Sequence, residues 1–139
     1  SLVTLQVEVV SPERILWTGE ADMVIARTVG DGEIAFLTDH APFVGALDIS
    51  RVTIRPAEGA DELVAVHGGF VEVSNNRVTI LSDVAEVASQ IDTVRAQAAA
   101  DRAEAALRTE TNVEADAALR RAQVRLAVAG AQPTTSSAH

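Results

Sequence analysis

Between residues 89 and 139 the chain places six arginines, and it contains no lysine anywhere in its 139 residues. Asp92 and Arg95 are three positions apart, so on a helix they share a face. Arg102 lies seven beyond Arg95, two turns along that face, and Arg121 and Arg125 are spaced i, i+4. If both stretches are helices folded back antiparallel, the end of the second lies beside the start of the first. Arg121 and Arg125 then come near Asp92, Arg95 and Arg102. A guanidinium is always charged and presents a planar fork that fits carboxylate or phosphate bidentately. Several such groups without matching acids suit a polyphosphate, with Asp92 holding Arg95 in place or accepting from an adenine amine. The competing reading is plainer. Asp92–Arg95 is then an intrahelical pair worth roughly a few tenths of a kcal/mol, and the other arginines form a solvated face.

Little else in the chain offers chemistry. Nucleophile elbow, P-loop and zinc signatures are absent. There is no cysteine, which removes disulfides and thiolate metal sites, and the histidines at 40, 67 and 139 are scattered without ligand spacing. Gly30-Asp31-Gly32 and Gly68-Gly69 read as turns, because neither opens a helix nor carries the Lys-Ser/Thr of a phosphate loop. His40, beside Pro42, reads as a turn residue or a subunit contact, and His67 as a strand-end residue. The formal net charge of −9 argues against nucleic acid and anionic lipid as partners. That charge is uneven. Residues 1–88 hold 14 acids and 5 arginines, whereas residues 89–139 hold 6 of each. No run approaches the roughly 18 apolar residues of a membrane span, and Ser1-Leu2-Val3-Thr4 begins no export signal, so the expectation is a soluble chain without direct membrane insertion.

The elements that must position these arginines are legible as patterns. Hydrophobic residues make up 47% of the chain but aromatics only 3%, so Val, Ile, Leu and Ala must fill any core. Up to about residue 85 the sequence breaks into short β-type runs at roughly ten-residue intervals. They include Thr4–Val10, Glu33–Leu37, Arg51–Arg55, Glu62–Val66, and Phe70–Val73 with Arg77–Leu81 around a turn at Ser74-Asn75-Asn76. This spacing indicates an antiparallel sandwich or barrel. The texture then changes: from Ile91 to Ala129 there is no Gly or Pro and alanine dominates. A first helix is expected from about Gln90 to Arg108, capped by Ser89, a bend at Thr109–Asn112, and a second helix from Val113 to Ala129. Two helices joined so tightly form a hairpin. The stripes Ala96, Ala99, Ala103, Ala106 and Ala115, Ala118, Ala122, Leu126, Ala129 are expected to face each other. Alanine buries little area, so the hairpin should be weakly held and easily moved. The expected division is a β-sandwich over 1–88, a helical hairpin over 89–131 and a disordered tail over 132–139.

This order of parts, with its local sequences, resembles the epsilon subunit family of bacterial and chloroplast F-type ATP synthases, whose mitochondrial counterpart is called delta. Gly32-Glu33-Ile34-Ala35-Phe36-Leu37-Thr38-Asp39-His40-Ala41-Pro42-Phe43 is similar to the family's Gly-Glu-Ile-Gly-Ile-Leu-Pro-x-His-Ala-Pro-Leu segment, with Ala35 and Thr38 departing from its Gly and Pro. Val66-His67-Gly68-Gly69-Phe70-Val71-Glu72-Val73 resembles its Gly-Gly-Phe hairpin, Asn76–Glu86 its closing strand, and Ile91-Asp92-Thr93-Val94-Arg95-Ala96 the motif opening its first helix. The resemblance implies a non-catalytic rotor subunit of a proton-translocating synthase, peripheral on the cytoplasmic side of the cell inner membrane. It implies a sandwich bound to the gamma subunit and the c-ring, with His40 and Pro42 in the contact region. The hairpin would lie folded on the sandwich, or extend into the alpha/beta catalytic subunits and obstruct ATP hydrolysis. No cofactor is required. In some relatives the folded hairpin binds ATP as a regulatory ligand, and the matching positions here are Glu86, Ile91, Asp92, Arg95, Arg102, Arg121 and Arg125. Without the resemblance, the alternative is a stand-alone β-sandwich adaptor with a helical tail.

Overall fold

A computed structural model describes residues 3–130. Ten strands form two five-stranded sheets, followed by two helices. The strands are β1 (Leu5–Val10), β2 (Ile15–Ala21), β3 (Met23–Thr28), β4 (Gly32–Leu37), β5 (Phe43–Ala46), β6 (Ile49–Arg55), β7 (Glu62–His67), β8 (Phe70–Ser74), β9 (Arg77–Leu81) and β10 (Ala85–Val87). One sheet runs β2-β1-β9-β8-β5 and the other β10-β7-β6-β3-β4. The pairings are antiparallel except for β1 with β9, which run parallel with Val7 opposite Val78.

Alternation builds the core, since successive side chains of a strand point to opposite faces. Leu5, Val7 and Val9 of β1, Val71 and Val73 of β8, and Val78 and Ile80 of β9 point inward from the first sheet. Val24 and Ala26 of β3, Phe36 of β4, Val52 and Ile54 of β6, and Val64 and Val66 of β7 meet them from the second. Phe36 is the largest side chain buried completely, as expected for a core otherwise made of aliphatics.

Turn chemistry fixes the register. Asn75 and Asn76 both take positive φ, 53° and 61°, as the tight β8–β9 hairpin requires. Gly69, with φ of 109°, is the stricter case: a Cβ there would sit 2.0 Å from the Leu81 carbonyl oxygen. The Asn76 side chain also reaches across the end of the sandwich. Its Oδ1 accepts from Asp39 N at 2.6 Å and its Nδ2 donates to Asp39 Oδ1 at 3.2 Å.

The first helix begins later than its pattern suggests. β10 is a three-residue strand on β7, and a single 3-10 turn, Ala88–Gln90, follows it. Helix α1 (Thr93–Thr109) starts three residues after the expected position, with Asp92 rather than Ser89 as its N-cap. Ser89 is committed to the 3-10 turn, and Ile91 stays extended at φ −84° and ψ 126°. Helix α2 (Val113–Gly130) follows a bend in which Asn112 Oδ1 accepts from Ala115 N at 3.0 Å. The helices pack on each other, and α2 also lies on β6, β7 and the 3-10 turn.

The helix–helix stripe is close to the expected one: Ala96, Ala100 and Ala103 of α1 and Ala115 and Ala122 of α2 are buried. Ala99 and Ala106 are only partly covered. A second α2 stripe had no counterpart in the expected pattern. Val128 is fully buried, and with Val124 and Ile91 it packs against Leu63, Ala65 and Ala88. This seam explains why β7 reads Leu63-Val64-Ala65-Val66 without alternation, since one face meets the sandwich core and the other meets α2. Among the described residues, no helix is long and apolar enough to cross a membrane. The expected tail, 132–139, lies outside the described residues.

Candidate functional site

The expected arginine cluster gathers where hairpin and sandwich join. Glu86 of β10, Gln90 of the 3-10 turn, Asp92, Arg95, Ala96, Ala99 and Arg102 of the first helical arm, and Arg125 of α2 line an open cavity of about 430 Å3. Its position follows from local structure. Asp92 caps α1, its Oδ1 accepting from Arg95 N at 3.0 Å, so the first turn of α1 is fixed with Arg95 projecting from it. Arg102 lies two turns further along the same face. The antiparallel packing of α2 brings Arg125 to the opposite wall, where its Nε donates to Glu86 Oε1 at 2.6 Å.

The plain alternative for Asp92 and Arg95 is thereby corrected. The Asp92 carboxylate is engaged by the Arg95 backbone amide, and the two side chains form no ion pair. Among the described residues neither Arg95 nor Arg102 has a carboxylate within salt-bridge distance, so two guanidinium forks stand uncompensated on one wall. The small side chains of Ala96 and Ala99 form the floor between them and leave room for a guest. Three guanidinium groups facing two carboxylates, one already bonded to Arg125, favour an anion.

Two expected residues stand elsewhere. Arg121 does not line the cavity. It sits one turn back along α2, toward the bend, and its Nη2 donates to Glu114 Oε2 at 2.8 Å. Ile91 is an apolar plug in the seam under α2, not a wall of the cavity. Gln90 is an addition. Its side-chain Oε1 accepts from Val87 N at 3.4 Å and closes the turn that aims Asp92 at the cavity. Only its place beside Asp92 could have signalled that role.

Further polar contacts hold the arm against the base. Arg120 Nη2 donates to Asp48 Oδ1 at 2.6 Å, tying α2 to the segment that leads into β6. Behind Arg125, Glu86 Oε1 also faces His67 Nε2 at 3.3 Å. Burial first, and then the Arg125 charge, push the His67 pKa below its ordinary value against the pull of Glu86. His40 lies far from this site, in the β4–β5 loop. Its ring meets Phe36 edge-on at 4.9 Å between centroids, its Nδ1 lies 2.7 Å from the Ala41 carbonyl oxygen, and Pro42 beside it is exposed. No group of His, Cys, Asp and Glu suited to a metal ion occurs among the described residues.

Comparison with known proteins gives a consistent answer. Residues 4–88 match the family described as ATP synthase, Delta/Epsilon chain, beta-sandwich domain. The ATP synthase epsilon chain of Streptomyces avermitilis is 41% identical over 129 residues, spanning 92% of this chain and 97% of that one. The protein of the same name from Symbiobacterium thermophilum is 45% identical over 135 residues, spanning 94% and 96%. Among solved structures, a chain of the Euglena gracilis mitochondrial ATP synthase (OSCP/F1/c-ring, rotational state 1) shares the fold. Its TM-score is 0.77 at 19% identity, over 89% of this chain and 80% of that one.

Proposed function

The chain belongs to the ATP synthase delta/epsilon family as a non-catalytic epsilon chain, and from that premise we propose that it is a two-part rotor subunit. The sandwich is its fixed base, bound to the gamma subunit and the c-ring, with His40 and Pro42 on the contact loop. The hairpin is a regulatory arm. Seated on the sandwich, it binds ATP; extended toward the alpha/beta catalytic subunits, it obstructs hydrolysis. The assembly is peripheral to the cell inner membrane on its cytoplasmic side, and ion transport belongs to the complex as a whole. Membership of the family removes the ground for a stand-alone adaptor.

The observation that carries the ATP reading is the pair Arg95 and Arg102, without a carboxylate partner among the described residues, on a cavity shared between arm and base. Their forks match phosphate oxygens, and Asp92 and Glu86 supply acceptors for a base amine. The cavity takes walls from both α1 and α2, as well as from β10. Extension would dismantle it, so a ligand of this cavity binds the seated arm alone. A ligand shifts a two-position element only by its difference in affinity between the positions, and a cavity walled by both arm and base would supply that difference. Falling ATP then frees the arm.

Calorimetric titration of ATP into the full chain and into Arg95→Ala tests this reading. The wild type is expected to bind ATP. The variant should lose a charge-assisted bidentate contact, weakening affinity by on the order of 10-fold or more. Equal affinity in both would remove Arg95 from the site, and no heat in the wild type would remove the site itself.

A further inference from the structure

Behind the cavity wall, one buried side chain is only half satisfied. The His67 ring is 3% exposed. Its Nε2 lies 3.3 Å from Glu86 Oε1, but its Nδ1 is buried with no hydrogen-bond partner among the described residues. The neutral tautomer with its proton on Nε2 donates to the Glu86 carboxylate and leaves only a lone pair at Nδ1. A second proton would bring an N–H to a place without an acceptor, and a positive charge to a crowded spot.

The charged groups around the ring come from each neighbouring element. From β10, Glu86 faces it, already bonded to Arg125 at 2.6 Å. From α2, Arg125 and Arg121 both act on it as positive charges. On β6, Ile49 is its strand partner, and the preceding Asp48 is committed to Arg120. From the β9–β10 segment, Asp83 borders the same outer cavity as His67. The carboxylate nearest the ring is therefore shared with a guanidinium that arrives only with α2.

We propose that His67 is a proton-operated release for the helical arm: held neutral while α2 is seated over β7, and free to take up a proton in mild acid once α2 has left. Withdrawal of α2 takes Arg121 and Arg125 away, admits water to Nδ1 and leaves Glu86 to His67 alone. Each of these changes favours the imidazolium in the detached position. This inference rests on the mobile arm proposed above.

The sign follows from linkage. The seated arm lowers the pKa of the ring, so seating is strongest when His67 is neutral in both positions. Seating weakens as pH falls through the ordinary histidine value of about 6.5. If the seated ring stays neutral over that range, the detached-to-seated ratio rises about tenfold between pH 7.5 and pH 5.5. Acid then acts in the same direction as loss of ATP.

The chain has no cysteine, so Glu58→Cys in the β6–β7 turn and Gln123→Cys on the exposed face of α2 can carry a fluorescent pair. In the full chain, energy transfer between them reports the detached fraction from pH 7.5 to pH 5.5. We expect the tenfold rise with native His67 and a flat profile with His67→Gln, whose folding a melt verifies. His67→Asn serves if the glutamine variant does not fold. The ring titration, followed by NMR in the unlabelled chain, should give a midpoint below the ordinary value. The same rise in the variant, a flat native profile, or an ordinary midpoint overturns the proposal. Adding Val128→Ala to the labelled pair separates two failures. If it releases the arm but the release ignores pH, only the His67 switch falls. If no detached arm appears at any pH even then, the mobile arm falls with it.

Discussion

Val128→Ala tests how the arm is held. Val128 is the fully buried side chain that α2, with the partly buried Val124 beside it, puts into the seam with Leu63, Ala65 and Ala88. The substitution removes two methyl groups. At about 0.8 kcal/mol per buried carbon, plus a term for the cavity left behind, seating loses about 1.5–2.5 kcal/mol. Alanine is also the better helix former by roughly 0.6 kcal/mol. That preference applies in both positions of the arm, so it cancels from the seating equilibrium. At 1.4 kcal/mol per factor of ten, the detached-to-seated ratio should rise about 10- to 60-fold. Native-state hydrogen exchange read by mass spectrometry is the assay. Helices without a tertiary partner open transiently far more often than seated ones, so α1 and α2 amides should exchange through the detached position. Peptides from α1, α2 and residues 88–91 should exchange faster by that factor, while peptides from β1, β8 and β9 should not change. Equal acceleration across both parts would mean that arm and base open as one unit, and the argument for a movable arm would be refuted.

Two further predictions concern the base. Gly69→Ala must place a Cβ against the Leu81 carbonyl at a residue with φ of 109°, so the β7–β8 turn should be strained by at least about 2 kcal/mol. A thermal melt should show the sandwich transition lower by on the order of 5 °C or more, and an unchanged midpoint would refute this account of the turn. Arg55 grips Asp61 with two hydrogen bonds of 3.0 and 3.1 Å, and hydrogen bonding from that guanidinium holds the Asp61 pKa below its ordinary value. The unfolded chain therefore binds a proton at Asp61 first as pH falls. The contribution of the pair is present above about pH 3.9 and fades through the lowered value, so Asp61→Asn should match the wild type at the acid end of a pH–stability profile and fall below it above pH 4. A constant gap at every pH would contradict the assignment.

The strands and the helices were legible because each has one covered face and a clean period. β7 and α2 were harder for a shared reason. Leu63 and Ala65 are buried by Val128, a residue more than sixty positions away, and no local window records that contact. The cap was misplaced by three residues because Ser89 and Asp92 are both good caps, and the choice depended on β10 extending the sheet to Val87. In the candidate site, helical spacing was enough to place Arg95, Arg102 and Arg125 together. It could not place Arg121, whose partner Glu114 lies two turns away on its own helix. Nor could it show that Arg125 would meet Glu86, since that contact depends on the rotation of α2 over the sheet.

The parallel pairing of β1 with β9 also constrains the order in which the molecule can be assembled. On one side β1 pairs with its neighbour β2, but on the other residues 6–10 find their partners at residues 77–81, so the first sheet remains split until nearly the whole base has been synthesised. Such distant closure is slow compared with hairpins and helices. Everything after Leu81 emerges behind that closure, and the platform on which α2 rests needs β10 as well. The helices can form early, but α2 finds its seat only once β6, β7 and the turn after β10 are in place, so the arm cannot dock before that side of the base exists.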